Sequence, residues 1–91
     1  MKSKNQLPPL VLIEWVDSKQ PEPAWRHLDD LPELTVIECA SVGWLIGESK
    51  GVKMLAPNIG DIKTEGNTQA SGFIRIPSRS ITRQVMLREA K

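Results

Sequence analysis

The sequence has few of the residues on which catalytic and metal sites depend. It contains one cysteine and one histidine among 91 residues, so an intramolecular disulfide and a Cys/His zinc cluster are both excluded. A nucleophilic Cys–His pair would need Cys39 and His27 to meet. Cys39 lies in the most apolar run of the chain, which predicts a buried thiol and a reducing compartment. We therefore expect a cytoplasmic protein without cysteine chemistry.

Other functional signatures are missing as well. There is no Gly-x-x-x-x-Gly-Lys phosphate loop, and no apolar run approaches the ~18 residues needed to span a membrane. Carboxylates suited to acid–base catalysis or cation binding lie in polar, loop-like segments, where solvated acids are the rule. These carboxylates are Asp17, Glu22, Asp29 and Asp30. The sequence thus predicts a non-enzymatic protein with no catalytic residue, no metal, no cofactor and no membrane partner.

Charge is present but unevenly distributed. The formal net charge is +1, yet residues 1–50 carry five Lys/Arg against eight Asp/Glu, whereas residues 71–91 carry five against one. This excess of positive charge in residues 71–91 indicates a basic surface near the C-terminus.

Period-two alternation of apolar residues predicts five strands, over residues 10–16, 35–49, 52–56, 70–76 and 81–87. In the first, Val11, Ile13 and Trp15 form the expected core face, because Glu14 marks the opposite face as wet. The second is the longest, and Gly43 within it predicts a bend that lets one strand serve two sides of a sheet. In the last, Ile81, Val85 and Leu87 are the expected inward residues.

The segments between the strands are polar. Residues 57–69 predict a long loop, residues 77–80 a turn of 3₁₀ type, and residues 24–32 a short helical turn or irregular cover over an open end of the sheet, anchored by Trp25. This pattern favours an all-β fold, a small five-stranded SH3-like barrel with a long bent second strand and one short helical turn. An open β-sandwich or an oligonucleotide-binding barrel is the alternative.

The length allows one domain, which we assign to residues 10–91, preceded by a flexible N-terminal arm at 1–9 that ends in Pro8-Pro9. A short chain whose sheet leaves edges partly open favours a homo-oligomer.

Several segments together resemble a group of small, largely uncharacterised bacteriophage and prophage proteins. They are Glu14-Trp15-Val16-Asp17, Trp25, Ser41-Val42-Gly43-Trp44-Leu45, Met54-Leu55-Ala56-Pro57, and Gly72-Phe73-Ile74-Arg75-Ile76-Pro77 followed by Ile81. The resemblance spans roughly residues 10–87 and is a pattern of hydrophobic and turn residues. It implies a phage-encoded accessory protein in the cytoplasm of a bacterial host, and it implies no catalytic residue.

Five residues are the predicted ligand-binding set: Trp25, Asn58, Arg75, Arg79 and Arg83. Trp25 lies in irregular chain, where an indole can serve as a stacking surface or pack as a lid, whereas Trp15 and Trp44 lie in strands and are expected in the core. The three arginines recur every four residues, and guanidinium groups bind phosphate and carboxylate through a planar fork. Solvated arginines at a sheet edge are the alternative interpretation.

These residues lead to three hypotheses. The first is a binding module for a host protein or an anionic small ligand, acting as an oligomer. The second is a nucleic-acid-binding module in which Trp25 stacks on a base above the basic surface. The third is a sponge that sequesters a nucleotide immune messenger through the arginines and Asn58.

Overall fold

Within residues 7–90, seven strands form two antiparallel sheets, which confirms the all-β expectation. The computed structural model describes residues 7–90, so residues 1–6 of the predicted N-terminal arm lie outside the described part. The strands are β1 Leu10–Asp17, β2 Ile37–Ser49, β3 Val52–Ala56, β4 Asn58–Gly60, β5 Gln69–Ser71, β6 Ile74–Pro77 and β7 Ile81–Met86, with 3₁₀ turns at Leu28–Asp30 and Ser78–Ser80. The larger sheet has the order β6-β3-β2-β1-β7, and β4 and β5 form the smaller one.

The long strand β2 organises the larger sheet as expected. Its first part pairs with β1, from Asp17↔Ile37 to Leu10↔Trp44, and its second part pairs with β3, from Trp44↔Ala56 to Ser49↔Val52. The β2–β3 hairpin closes through Lys50 and Gly51, both with positive φ, as a two-residue turn matched to the strand twist requires. One strand therefore contributes to both halves of the sheet.

The core lies on one face of this sheet. Val11 and Ile13 of β1 are buried together with Leu55 and Ile76, and Trp15, Leu45 and Ile81 pack against them. The predicted core face of β1 is thus confirmed. The indole Nε1 of Trp15 donates a hydrogen bond to Ser41 Oγ at 3.1 Å, so its polar atom is satisfied at the margin of the core.

The sheet curls around this core. Lys53 Nζ on β3 donates a 2.7 Å hydrogen bond to Gln84 Oε1 on β7, although two strands separate them in the sheet. In a flat sheet they would be roughly 14 Å apart, three strand spacings. The side chains meet because the sheet coils until its two halves face each other.

The curl does not close into a hydrogen-bonded barrel. In the part of the chain that the structure describes, β6 pairs with β3 and β7 pairs with β1, but β6 and β7 do not pair with each other. They are joined by the 3₁₀ turn at Ser78–Ser80, which confirms the turn expected at 77–80. The Ser78 N–H donates to Gly51 O at 2.8 Å, which fixes this turn against the β2–β3 hairpin.

Gly43 has a role that the sequence did not predict. The irregularity in the β2–β3 ladder falls between Leu45 and Gly47, leaving Ile46 as the extra residue, and not at Gly43, where the sequence predicts a bend. Gly43 pairs regularly with Val11. A Cβ at Gly43 would lie 2.9 Å from the backbone oxygen of Ala56, so the glycine permits a close approach of β2 and β3.

A second irregularity changes which face β7 buries. Trp15 pairs with Ile81 and Glu14 with Arg83, leaving Thr82 as the extra residue, and its Oγ1 donates to Glu14 O at 3.1 Å. A bulge shifts the alternation of every residue beyond it. Ile81 packs against the core as expected. Val85 pairs with Leu12 on the opposite face, which corrects its predicted inward orientation.

The segment at 57–69 is more ordered than its composition predicts. Asn58–Gly60 and Gln69–Ser71 pair as the smaller sheet, from Asn58↔Ser71 to Gly60↔Gln69. The predicted fourth strand, 70–76, is therefore divided: its beginning belongs to β5, and Ile74–Pro77 forms β6.

Candidate binding surfaces

The 18–36 loop, which joins β1 to β2, is the most exposed part of the fold. Trp25 is 101% exposed, Leu34 93% and Leu28 84%, and Leu31 and Val36 are each 54% exposed. Every residue from 18 to 36 is exposed. The expectation that this segment covers the sheet, with Trp25 as its anchor, is therefore wrong.

Local sequence explains why the loop stays apart from the sheet. Pro21 and Pro23 fix extended backbone and donate no hydrogen bond. A single 3₁₀ turn follows at Leu28–Asp30, where the Asp30 N–H donates to His27 O at 3.0 Å. Pro32 disfavours helix in the residue before it and cannot extend the turn. The apolar residues thus recur in a segment too short and too interrupted to fold against the core.

Charge divides the loop into two parts. In the first, Arg26 Nε lies 3.3 Å from Glu22 Oε2, an exposed pair. The second part, residues 27–36, contains three acids and neither lysine nor arginine. Its acids alternate with leucines in Leu28-Asp29-Asp30-Leu31-Pro32-Glu33-Leu34. This part of the loop therefore presents apolar and negatively charged groups together.

The face of the sheet opposite the core is also apolar. The register places Leu12 between Val42 and Val85, and Leu10 opposite Trp44. We call these five residues the outer strip. Val42 is 54% exposed, and the other four are half-buried. Trp44 thus lies on the outer strip and not among the buried core residues.

An open groove of about 500 Å³ lies where β1 and β2 approach the loop. Its lining consists of Glu14, Trp15, Val16, Glu38, Cys39, Ala40 and Thr82. Cys39 is half-buried there, and its thiol lies 3.7 Å from Ile37 O. The thiol that we predicted as buried is therefore only half-buried. With two carboxylates in its lining, the groove does not suit an anionic ligand.

Asn58 lies in β4 of the smaller sheet. It lines a second, shallower cleft of about 220 Å³ between β4 and β5, with Ile59, Gly60, Gln69, Ala70 and Ser71. The amides of Asn58 and Gln69 are both in this lining. The cleft contains no charged side chain.

The three arginines lie on different elements. Arg75 is on β6 opposite Met54, Arg79 is in the 3₁₀ turn, and Arg83 is on β7 opposite Glu14. Arg83 Nη1 lies 3.6 Å from Glu14 Oε1, and both side chains are largely exposed. Within residues 7–90, no hydrogen bond or ion pair joins any two of Trp25, Asn58, Arg75, Arg79 and Arg83. The structure thus distributes the predicted set over four elements and the loop.

Sequence reasoning selected Trp25 but not Leu28, Leu31 and Leu34. The available signal was their spacing of three residues in a proline-containing segment. For Trp25, Leu28 and Leu31, the same spacing predicts the helical turn or irregular cover over an open end of the sheet that we expected at 24–32. The structure instead leaves Leu28, Leu31 and Leu34 exposed.

No protein-family model matches the chain, and comparison with curated proteins and with solved structures found no significant similarity. In the described part of the chain, no group of three His, Cys, Asp or Glu residues is placed to hold a metal ion. The same part contains no helix long and apolar enough to cross a membrane.

Proposed function

We propose that this chain is a non-enzymatic binding module and that the 18–36 loop is its recognition element for a protein partner. The observation that carries the proposal is the near-complete exposure of Trp25, Leu28 and Leu34. Leaving a leucine in water instead of burying it forgoes about 2 kcal/mol. A partner with a complementary apolar surface supplies that burial on binding.

The residue types in the loop suit this role. Tryptophan is enriched among the few interface residues that contribute most of a binding energy, because it buries a large area with little loss of side-chain freedom. Proline at 21, 23 and 32 restricts the unbound loop, which lowers the entropy lost on binding. The loop is thus suited to insert into a partner instead of packing on its own sheet.

We propose an SH3-like class for the scaffold that presents the loop. Supporting features are the strand order β6-β3-β2-β1-β7, a long β2 shared by two halves, and a 3₁₀ turn before the last strand. The sequence resemblance supports a phage-encoded accessory protein whose partner is a protein of the bacterial host. Exposed apolar surface also favours an oligomer.

The test compares two variants for their ability to enrich host proteins. Trp25→Ala/Leu28→Ala removes two anchors, and Phe73→Ala removes one apolar side chain, 52% exposed, from outside the loop. We expect the Phe73→Ala variant and the unmodified chain to retain the same partner and the loop variant to lose it. Retention of every partner by the loop variant, with its circular dichroism unchanged, would contradict the proposal.

A second candidate is binding of an anionic ligand, either a nucleic acid or a nucleotide messenger. It is supported by Arg75 and Arg79, which form no ion pair within residues 7–90. Fluorescence anisotropy with DNA and RNA at low salt tests nucleic acid, because phosphate contacts weaken with added salt. A panel of cyclic and linear nucleotides tests the messenger, since a tight ligand must raise the melting temperature. Failure of both assays would exclude this candidate.

A further inference from the structure

We propose that the partner surface for the 18–36 loop is the outer strip of a second copy of this chain, so that two copies exchange loops. This inference rests on the proposed function, in which the loop is the recognition element, and it names a second copy of the chain, in place of a host protein, as the partner that covers the loop. The chain itself carries two apolar surfaces without partners in the described structure: the loop, and the strip formed by Leu10, Leu12, Val42, Trp44 and Val85.

Charge favours pairing these two surfaces. Residues 27–36 of the loop carry three acids without Lys or Arg. Arg83 borders the strip on β7, and Arg88 follows Leu87, whose N–H donates to Leu10 O at 2.8 Å. The Arg83–Glu14 pair is exposed, and such pairs are weak enough to exchange partners. A loop seated on the strip thus brings its carboxylates toward arginines.

The position of the loop favours a second copy over its own sheet. The loop leaves the sheet at Asp17 and returns at Ile37, whereas the strip begins at Leu12↔Val42, roughly 17 Å away at 3.3 Å per residue. On the intervening outer face lie Glu14 and Glu38. To reach its own strip, the acidic loop must fold back across these carboxylates. The loop of a second copy reaches the strip from the Leu10 end without crossing them.

The surface available is sufficient for a dimer. Each loop contributes Trp25, Leu28, Leu31 and Leu34, and a two-fold arrangement seats both loops at once. Large apolar side chains bury on the order of 150 Å² each. The two loops alone then bury about 1,000 Å², and the strips they cover bring the total to the range of stable interfaces.

Disulfide trapping between two different single-cysteine chains tests the exchange. Both carry Cys39→Ser; one also carries Leu34→Cys in the loop, and the other carries Val42→Cys on the strip. We expect a mixed disulfide in high yield. The matched control replaces Val42→Cys with Phe73→Cys, since Phe73 is 52% exposed, Val42 is 54% exposed and Phe73 lies outside the strip. Equal yields for the two positions, or no mixed disulfide, would overturn the proposal.

Light scattering after size-exclusion chromatography provides a readout without engineered cysteines. We expect a dimer for the unmodified chain and for Phe73→Glu, and a monomer for Val42→Glu.

A charge exchange tests the pairing of the acidic loop with the arginines. Asp30→Arg and Arg88→Glu should each weaken the dimer, and mixing the two variants should restore a heterodimer. A monomer at all concentrations overturns the exchange, and so does an intramolecular disulfide in a single chain carrying Leu34→Cys/Val42→Cys together with Cys39→Ser.

These outcomes separate the two proposals. If the unmodified chain is a monomer but still enriches a host protein in a Trp25-dependent manner, loop exchange is wrong and the loop's recognition role stands. If Trp25→Ala/Leu28→Ala changes neither the assembly nor the enrichment of any protein, both proposals are wrong.

Discussion

The core and the 18–36 loop contain similar side chains in opposite environments. Four aliphatic residues of the core are at most 1% exposed, whereas Trp25, Leu28 and Leu34 of the loop are at least 84% exposed. The core residues are brought together by strands that pair across the sheet. The loop has no such pairing, because prolines and a single 3₁₀ turn keep it apart. The same apolar chemistry thus stabilises the fold in one region and remains available for binding in the other.

The difference has a consequence for stability. Only five hydrophobic residues of the described chain are buried. The fold therefore depends on few contacts, and each contributes a large share. Substitutions in the core and in the loop should differ sharply in their effects on unfolding.

The largest expected effect is in the core. Ile13→Ala removes a side chain that is 0% exposed and should lower the free energy of unfolding by about 3 kcal/mol, through lost burial and the cavity left behind. Leu28→Ala, the matched apolar truncation in the loop, should change it by less than about 0.5 kcal/mol. Urea denaturation measures both in the Val42→Glu background, which we expect to be monomeric, so that contacts between copies do not contribute. Similar losses for the two variants would show that the loop packs on the core.

The next largest loss of stability is expected at the close contact between β2 and β3. Gly43→Ala places a Cβ about 2.9 Å from Ala56 O, and the resulting shift of backbone should cost about 2 kcal/mol. Gly43→Val, with a larger side chain, should impair folding further. Gly60→Ala is the control, since a Cβ there meets nothing within 4 Å. Thermal unfolding measures the difference, and equal melting temperatures for Gly43→Ala and Gly60→Ala would contradict this role of Gly43.

A smaller effect is expected at the margin of the core. Ser41→Ala removes the acceptor of the Trp15 Nε1 hydrogen bond and should cost about 1 kcal/mol. In the Trp15→Phe background, which lacks the donor, the same substitution should cost less. A double-mutant cycle by urea denaturation measures this coupling. A coupling energy of zero would show that the hydrogen bond contributes nothing.

Much of the sheet was predictable because apolar and polar residues alternate along its strands. The core face of β1 follows from Val11, Ile13 and Trp15, and the bounds predicted for the third strand, 52–56, match β3. Which residues of β7 face the core was not predictable from the sequence. The bulge at Thr82 reverses the faces of the residues beyond it, and it depends on how β7 pairs with β1. The alternation in β7 therefore gives the wrong face for Val85.

The binding surfaces were less predictable than the strands. Trp25, Leu28 and Leu31 have a spacing that helices and irregular loops share, and only tertiary structure distinguishes packing from exposure. The outer strip was hidden for a related reason. The face of β1 that carries Glu14 also carries Leu10, Leu12 and Val16. A charged residue indicates that a face of a strand contacts solvent, but it does not show how much of that face is apolar.

Replacing residues 18–36 with Asn-Gly tests most directly whether the loop serves binding and not folding. This two-residue turn can join Asp17 to Ile37, which already pair. We expect loss of the dimer and a folded sheet. Its free energy of unfolding, compared with that of the monomeric Val42→Glu chain, should be unchanged or raised by about 1 kcal/mol, since a shorter loop costs less entropy to close. A loss of more than about 2 kcal/mol in urea denaturation, or a dimer that persists, would contradict this expectation.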